Sequence, residues 1–124
     1  MRISLLSLLL ISLLSLLSCE EALNKELLWG QWKGVELLEN TEVADLDVSG
    51  VRFEFKKDGT YSYTGTLNHR EAGRYYILGK VLYSTDTTMT APKEKAVRII
   101  RFTADSLFFE MNAAGTPQLL KLAR

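Results

Sequence analysis

Beyond residue 26 the chain alternates apolar and polar residues with the period of two that marks strands buried on one face. The clearest run is Val51-Arg52-Phe53-Glu54-Phe55-Lys56, whose odd positions can line a core while the even ones meet water. Lys57-Asp58-Gly59 follows as a hairpin signal, because Gly59 can take the positive φ that tight turns need. A second strand then runs from Thr60 to Leu67, with Tyr61 and Tyr63 inward and Ser62, Thr64 and Thr66 outward. The same grammar predicts strands over Gly73–Leu78, Val81–Ser84, Val97–Phe102, Leu107–Asn112 and Gln118–Ala123, with a first long strand over Leu27–Leu38. A loop is expected near Asn68-His69-Arg70, a turn at Gly79-Lys80, and long polar connections over Glu39–Ser49 and Thr85–Lys95. In Val97–Phe102 the adjacent Ile99 and Ile100 break the alternation, so one points outward or a bulge intervenes.

About eight short strands joined by turns, with no convincing helical segment after the first 18 residues, predict an all-β fold, a small antiparallel up-and-down barrel. Closure of such a barrel removes exposed strand edges. The interior would hold Trp32, Phe53, Phe55, Tyr61, Tyr63, Tyr75, Ile77, Phe102, Phe109 and Met111, together with Leu107 and Leu120. Barrels of this size are filled by side chains or hold one small ligand, and the pattern leaves both open. In the second case buried Tyr hydroxyls would supply the oriented polar groups that ligand sites show among apolar walls, and Thr85–Lys95 would serve as a lid.

The first residues have a different character. Arg2 precedes an apolar run, Ile3 to Leu17, interrupted only by serines, which is the pattern of an export signal. As a helix this run would span roughly 22 Å, short of a hydrocarbon core of about 30 Å. Leu16-Leu17-Ser18-Cys19 resembles the lipobox of bacterial lipoproteins. The resemblance implies cleavage of residues 1–18, lipid attachment at Cys19, a short tether over residues 19–26 and a barrel domain over residues 27–124. Acyl chains contribute about 0.8 kcal/mol per buried methylene, and more than one chain gives a lasting anchor. In that family Glu20 after the cysteine implies sorting to the outer membrane. The Glu20-Glu21 pair resembles a surface-export signal or is simply solvated, which leaves the periplasmic and surface faces open.

The barrel also has a family resemblance. Gly30-Gln31-Trp32 matches the Gly-x-Trp of lipocalins, and it is followed in order by Phe53-Glu54-Phe55, Lys57-Asp58-Gly59-Thr60-Tyr61, Gly73-Arg74-Tyr75-Tyr76-Ile77 and Phe102-Thr103-Ala104-Asp105-Ser106-Leu107. The succession resembles short lipocalin-like lipoproteins of bacteria over most of residues 28–124. The resemblance implies that Trp32 closes one end of the barrel and stacks on a basic side chain of the last strand, Lys121 or Arg124, a cation–π contact. The body is shorter than a full lipocalin and has no match to the mid-barrel Thr-Asp-Tyr motif, so the fold transfers better than ligand carriage.

Composition narrows the function classes. The chain has 124 residues, enough for one domain after loss of a leader, and a chain this size builds a core without disulfides or a structural metal. Lys plus Arg balance Asp plus Glu at 15 each, which removes any electrostatic case for nucleic acid. His69 is the single His and Cys19 the single Cys, too few for a zinc site, and no Gly-x-Ser-x-Gly elbow accompanies His69. Asp45-x-Asp47-x-Ser49-Gly50 copies half a calcium loop but places Lys56 where the bidentate Glu belongs, so a polar Asx turn is the expectation. No enzyme, cofactor or metal is expected. Two functions remain: an anchored module that binds a small apolar or amphipathic ligand, and a solid barrel that acts as a structural or protein-interaction lipoprotein through its loops.

Overall fold

The structure, a computed structural model, describes residues 23–124. The leader and Cys19 lie outside the described residues. A single antiparallel sheet contains β1 (Gly30–Glu39), β2 (Glu42–Val43), β3 (Arg52–Phe55), β4 (Thr60–Thr64), β5 (Arg70–Leu78), β6 (Val81–Asp86), β7 (Glu94–Phe102), β8 (Ser106–Ala113) and β9 (Thr116–Ala123). Sequential neighbours pair around the sheet, and β9 returns to β1, which closes a barrel of eight strands with the two-residue β2 appended to the end of β1. The predicted all-β up-and-down barrel is therefore the observed architecture.

Closure uses β1 on both sides. Its first residues, Gly30 to Lys33, pair with β3, and Lys33 to Glu39 pair with β9. A bulge between Gly34 and Glu36 ejects Val35, which is exposed, and switches the buried positions from Trp32 to Leu37. A second bulge between Ile99 and Arg101 resolves the adjacent isoleucines: Ile99 is buried and Ile100 is left outside.

Strand ends depart from the sequence reading in places. Leu27 and Leu28 belong to a 3-10 turn, Lys25–Leu28, rather than to the first strand, because Asn24 caps that turn by accepting from the Glu26 N–H. β4 stops at Thr64, and Leu67 and Asn68 take positive φ in the following turn. β6 runs on to Asp86 and β7 begins at Glu94, so the expected Thr85–Lys95 loop shrinks to residues 87–93. Gly59 has a φ of 85°, as the Lys57-Asp58-Gly59 hairpin requires.

Buried residues run through the whole barrel interior, and Leu28, Trp32, Leu107 and Leu122, each almost fully buried, fill the end where β1 starts and β9 finishes. Leu28 plugs this end beneath Trp32, whose indole Nε1 donates to the Leu28 carbonyl at 2.9 Å. Leu107, Leu122 and Ile99 are buried in the same cluster, and Phe102 meets the Trp32 ring edge-on at 6.4 Å. Of the two basic candidates, Arg124 lies over Trp32, its guanidinium 4.2 Å from the ring centroid. The same guanidinium donates to the carbonyls of Trp29 and Ala104 at 2.9 Å each and to that of Leu27. Gly30, with a φ of 117°, leaves room for it, since a Cβ there would come within 2.7 Å of Arg124. Lys121 instead pairs with Glu36 at 3.2 Å and lies over Phe108.

Candidate functional site

The opposite end is open. It is ringed by the end of β1, the β4–β5 turn, the β6–β7 connection and the β8–β9 turn, and a cavity of about 290 Å³ descends from it. That volume stands at the lower limit of the usual range for small-molecule pockets, about 300 to 1,000 Å³. Its walls are rings and aliphatic chains from inward strand positions: Phe53 and Phe55 on β3, Tyr61 and Tyr63 on β4, Leu82 on β6, Val97 on β7, Phe109 and Met111 on β8, and Leu120 on β9. Phe53 organises the aromatic part, tilted against Tyr63 at 4.6 Å and edge-on to Phe109 at 5.8 Å.

A polar group sits at the mouth. Glu71 occupies an inward position near the start of β5, with its side chain 11% exposed. Its Oε1 takes both the Lys95 ammonium at 3.0 Å and the His69 Nε2 at 3.1 Å, while among the described residues Oε2 has only the Tyr61 hydroxyl, donating from 3.4 Å. Lys95 and His69 are more than half exposed, so they reach in from the rim. Ser84 completes the polar lining. Burial works to raise the Glu71 carboxyl, but the bonds from His69 and Lys95 outweigh it and hold the group below its ordinary value. The Tyr61 hydroxyl is pushed up to about 12, first by burial and then by the Glu71 charge. Tyr63 is raised for the same two reasons. At neutral pH the mouth therefore combines one carboxylate with two neutral phenols.

A second carboxylate stands close by. Asp86 is buried at the end of β6, where its Oδ1 accepts from the Thr88 hydroxyl and amide, and these bonds lower its pKa. Its charge is felt by both Tyr61 and Glu71.

The structure thus divides the candidate interior residues. Phe53, Phe55, Tyr61, Tyr63, Phe109 and Met111 line the cavity. Trp32, Phe102, Tyr75 and Ile77 pack elsewhere: Trp32 and Phe102 form the closed end, Ile77 is buried in the core, and Tyr75 meets Phe55 edge-on and donates its hydroxyl to the Lys56 carbonyl at 2.7 Å. Sequence reasoning missed Glu71 and Lys95 as interior groups. The signal was strand parity: extending Gly73, Tyr75 and Ile77 back by one inward step reaches Glu71, and extending Val97 and Ile99 back reaches Lys95. His69, read as a solvated loop residue, is 62% exposed and edge-on to Tyr63 at 6.2 Å.

The Asp45–Gly50 segment forms an Asx turn, with Asp47 Oδ1 accepting from the Ser49 N–H at 2.9 Å. Among the described residues no three His, Cys, Asp or Glu side chains are grouped to hold a metal ion.

No family model and no curated protein matches the chain. A solved structure is similar in fold: the crystal structure of an uncharacterized protein from Bacteroides eggerthii DSM 20697, at 13% sequence identity and a TM-score of 0.57, covering 76% of this chain and 98% of that chain. The similarity is one of fold, a closed antiparallel barrel.

Proposed function

We propose that this protein is a lipocalin-like envelope lipoprotein, anchored through Cys19, that binds a small apolar or amphipathic ligand at the open end of its barrel. The observation that carries this reading is the asymmetry of the interior. The closed end is filled by Leu28, Trp32, Leu107 and Leu122, whereas the open end keeps a cavity of about 290 Å³ with apolar walls and a few convergent polar groups. The Trp32–Arg124 stack at the closed end supports the lipocalin-like part of the reading.

The placement of the tether fits such a role. The chain enters the barrel through Lys25–Leu28 at the closed end, the end opposite the mouth. In this reading the outer membrane is the site of the anchor, and catalysis has no part.

Native mass spectrometry of the protein released gently from its membrane tests the proposal. A small molecule that travels with the barrel and strips off on activation is the expected result. A clean apo mass, with no uptake of an apolar fluorescent probe, would overturn it. A second reading, a protein-interaction lipoprotein, is favoured by Val43 on β2 and by Leu46, Leu67 and Met89 on the connections, exposed apolar side chains around the open end. Loss of partner capture on joint replacement of Leu46 and Leu67 by Ser, in a protein that takes up no apolar probe, would establish it.

A further inference from the structure

The distribution of charge at the mouth bears on the kind of ligand. Glu71 and Asp86 bring two negative charges to this end of the interior, and Lys95 brings one positive charge. Lys95 is bound to Glu71 Oε1, so an incoming anion would meet a cation already neutralised. The two oxygens of Glu71 are unequally served. Oε1 takes both nitrogen donors, while Oε2 has a single hydroxyl donor at 3.4 Å, longer than the roughly 2.5 to 3.0 Å of a normal O–H···O bond. A carboxylate oxygen accepts more than that. Beside it stand Phe53, Tyr61 and Tyr63, whose ring faces attract a cation and whose edges and bodies accept an apolar group.

We propose that the cavity selects small apolar molecules bearing one ammonium group, the ammonium donating to Glu71 Oε2 and the apolar part lying among Phe53, Phe109 and Met111. Lys95 and His69 then act as built-in occupants of the carboxylate, both reaching it from exposed positions and free to yield when a ligand cation arrives. This inference rests on the ligand-binding reading above and deepens it.

Three probes of nearly equal shape test it: 2-phenylethylammonium, the neutral 2-phenylethanol and the anionic 3-phenylpropionate, each titrated into the protein by calorimetry. The ammonium is expected to bind about tenfold or more tighter than the alcohol, the range of a charge-assisted hydrogen bond, with the carboxylate weakest. Glu71→Gln should bring ammonium and alcohol to within about threefold of each other. Lys95→Met should tighten the ammonium further, because it removes the competing internal cation; a purely structural ion pair would give no gain. Should Glu71→Gln fail to fold, the order of the three probes on the wild-type protein and the Lys95→Met result still decide. Alcohol binding as tightly as ammonium, or carboxylate binding tightest, overturns the ammonium inference and leaves the cavity reading standing. Failure of all three probes to bind overturns both.

Discussion

The two ends of the barrel are built from the same strands and differ in what fills them. On β8, Leu107 and Met111 both point inward, yet Leu107 is fully buried beside Trp32 and Leu122, and Met111 is half-buried on the cavity wall. On β9, Leu122 and Leu120 are both buried, Leu122 at the closed end and Leu120 on the cavity wall. At the closed end the indole of Trp32 is met by the Leu28 carbonyl, and the guanidinium of Arg124 by three carbonyls. At the open end Glu71 Oε2 has a single long partner. On the proposed ligand-binding reading, stability and recognition belong to opposite ends, and a change at one should leave the other's property largely intact.

The largest effect that would sharpen this division is expected from Trp32→Ala, which removes the fully buried indole and its hydrogen bond and should cost about 3 to 5 kcal/mol of stability in a denaturant melt. Next is the pair on β8. Leu107→Ala should cost about 2 to 5 kcal/mol, whereas Met111→Ala, beside space already present, should cost about 1 kcal/mol and weaken ligand binding instead. Equal losses at the two positions would show that the open end is packed as tightly as the closed one. Arg124→Ala should cost about 1 to 2 kcal/mol through the lost stack and carbonyl bonds, against less than about 1 kcal/mol for Lys121→Ala, whose partners are Glu36 and the ring of Phe108.

The smallest effects concern pH and belong to the open end. The Glu71 carboxyl titrates below its ordinary value in the folded protein, so its contribution is present above the unfolded pKa and is lost as pH falls through the folded one. The acid limb of stability should therefore flatten in Glu71→Gln. The Tyr61 hydroxyl, raised from 10.0 to about 12, favours the folded state below the unfolded value, and that contribution is lost as pH rises from 10.0 towards 12. Tyr61→Phe should remove this alkaline dependence, read as the slope of stability against pH; an unchanged slope would show that Tyr61 is not buried beside Glu71.

The fold was legible because one-sided burial writes itself as alternation, and turns such as Lys57-Asp58-Gly59 punctuate it. Even the bulge at Ile100 left a trace in the adjacent isoleucines. The bulge at Val35 did not, since Gly34-Val35-Glu36-Leu37-Leu38 offers apolar residues at both parities. The site was less legible for two physical reasons. Parity tells which face a residue occupies but not its depth along the barrel axis, so Trp32 at the plug and Phe53 on the cavity wall look alike in sequence. Charged residues also read as the end of a strand, and Glu71 and Lys95 therefore fell into expected loops although both lie on inward positions.

The central claim is that the barrel is solid at one end and hollow at the other, and methyl-resolved NMR during titration with 2-phenylethanol tests it most directly. The expected result is saturable shifts at Leu82, Val97, Met111 and Leu120, with Leu28, Leu107 and Leu122 unmoved. No shift at the first set, or shifts that appear at the second set without the first, would contradict the account.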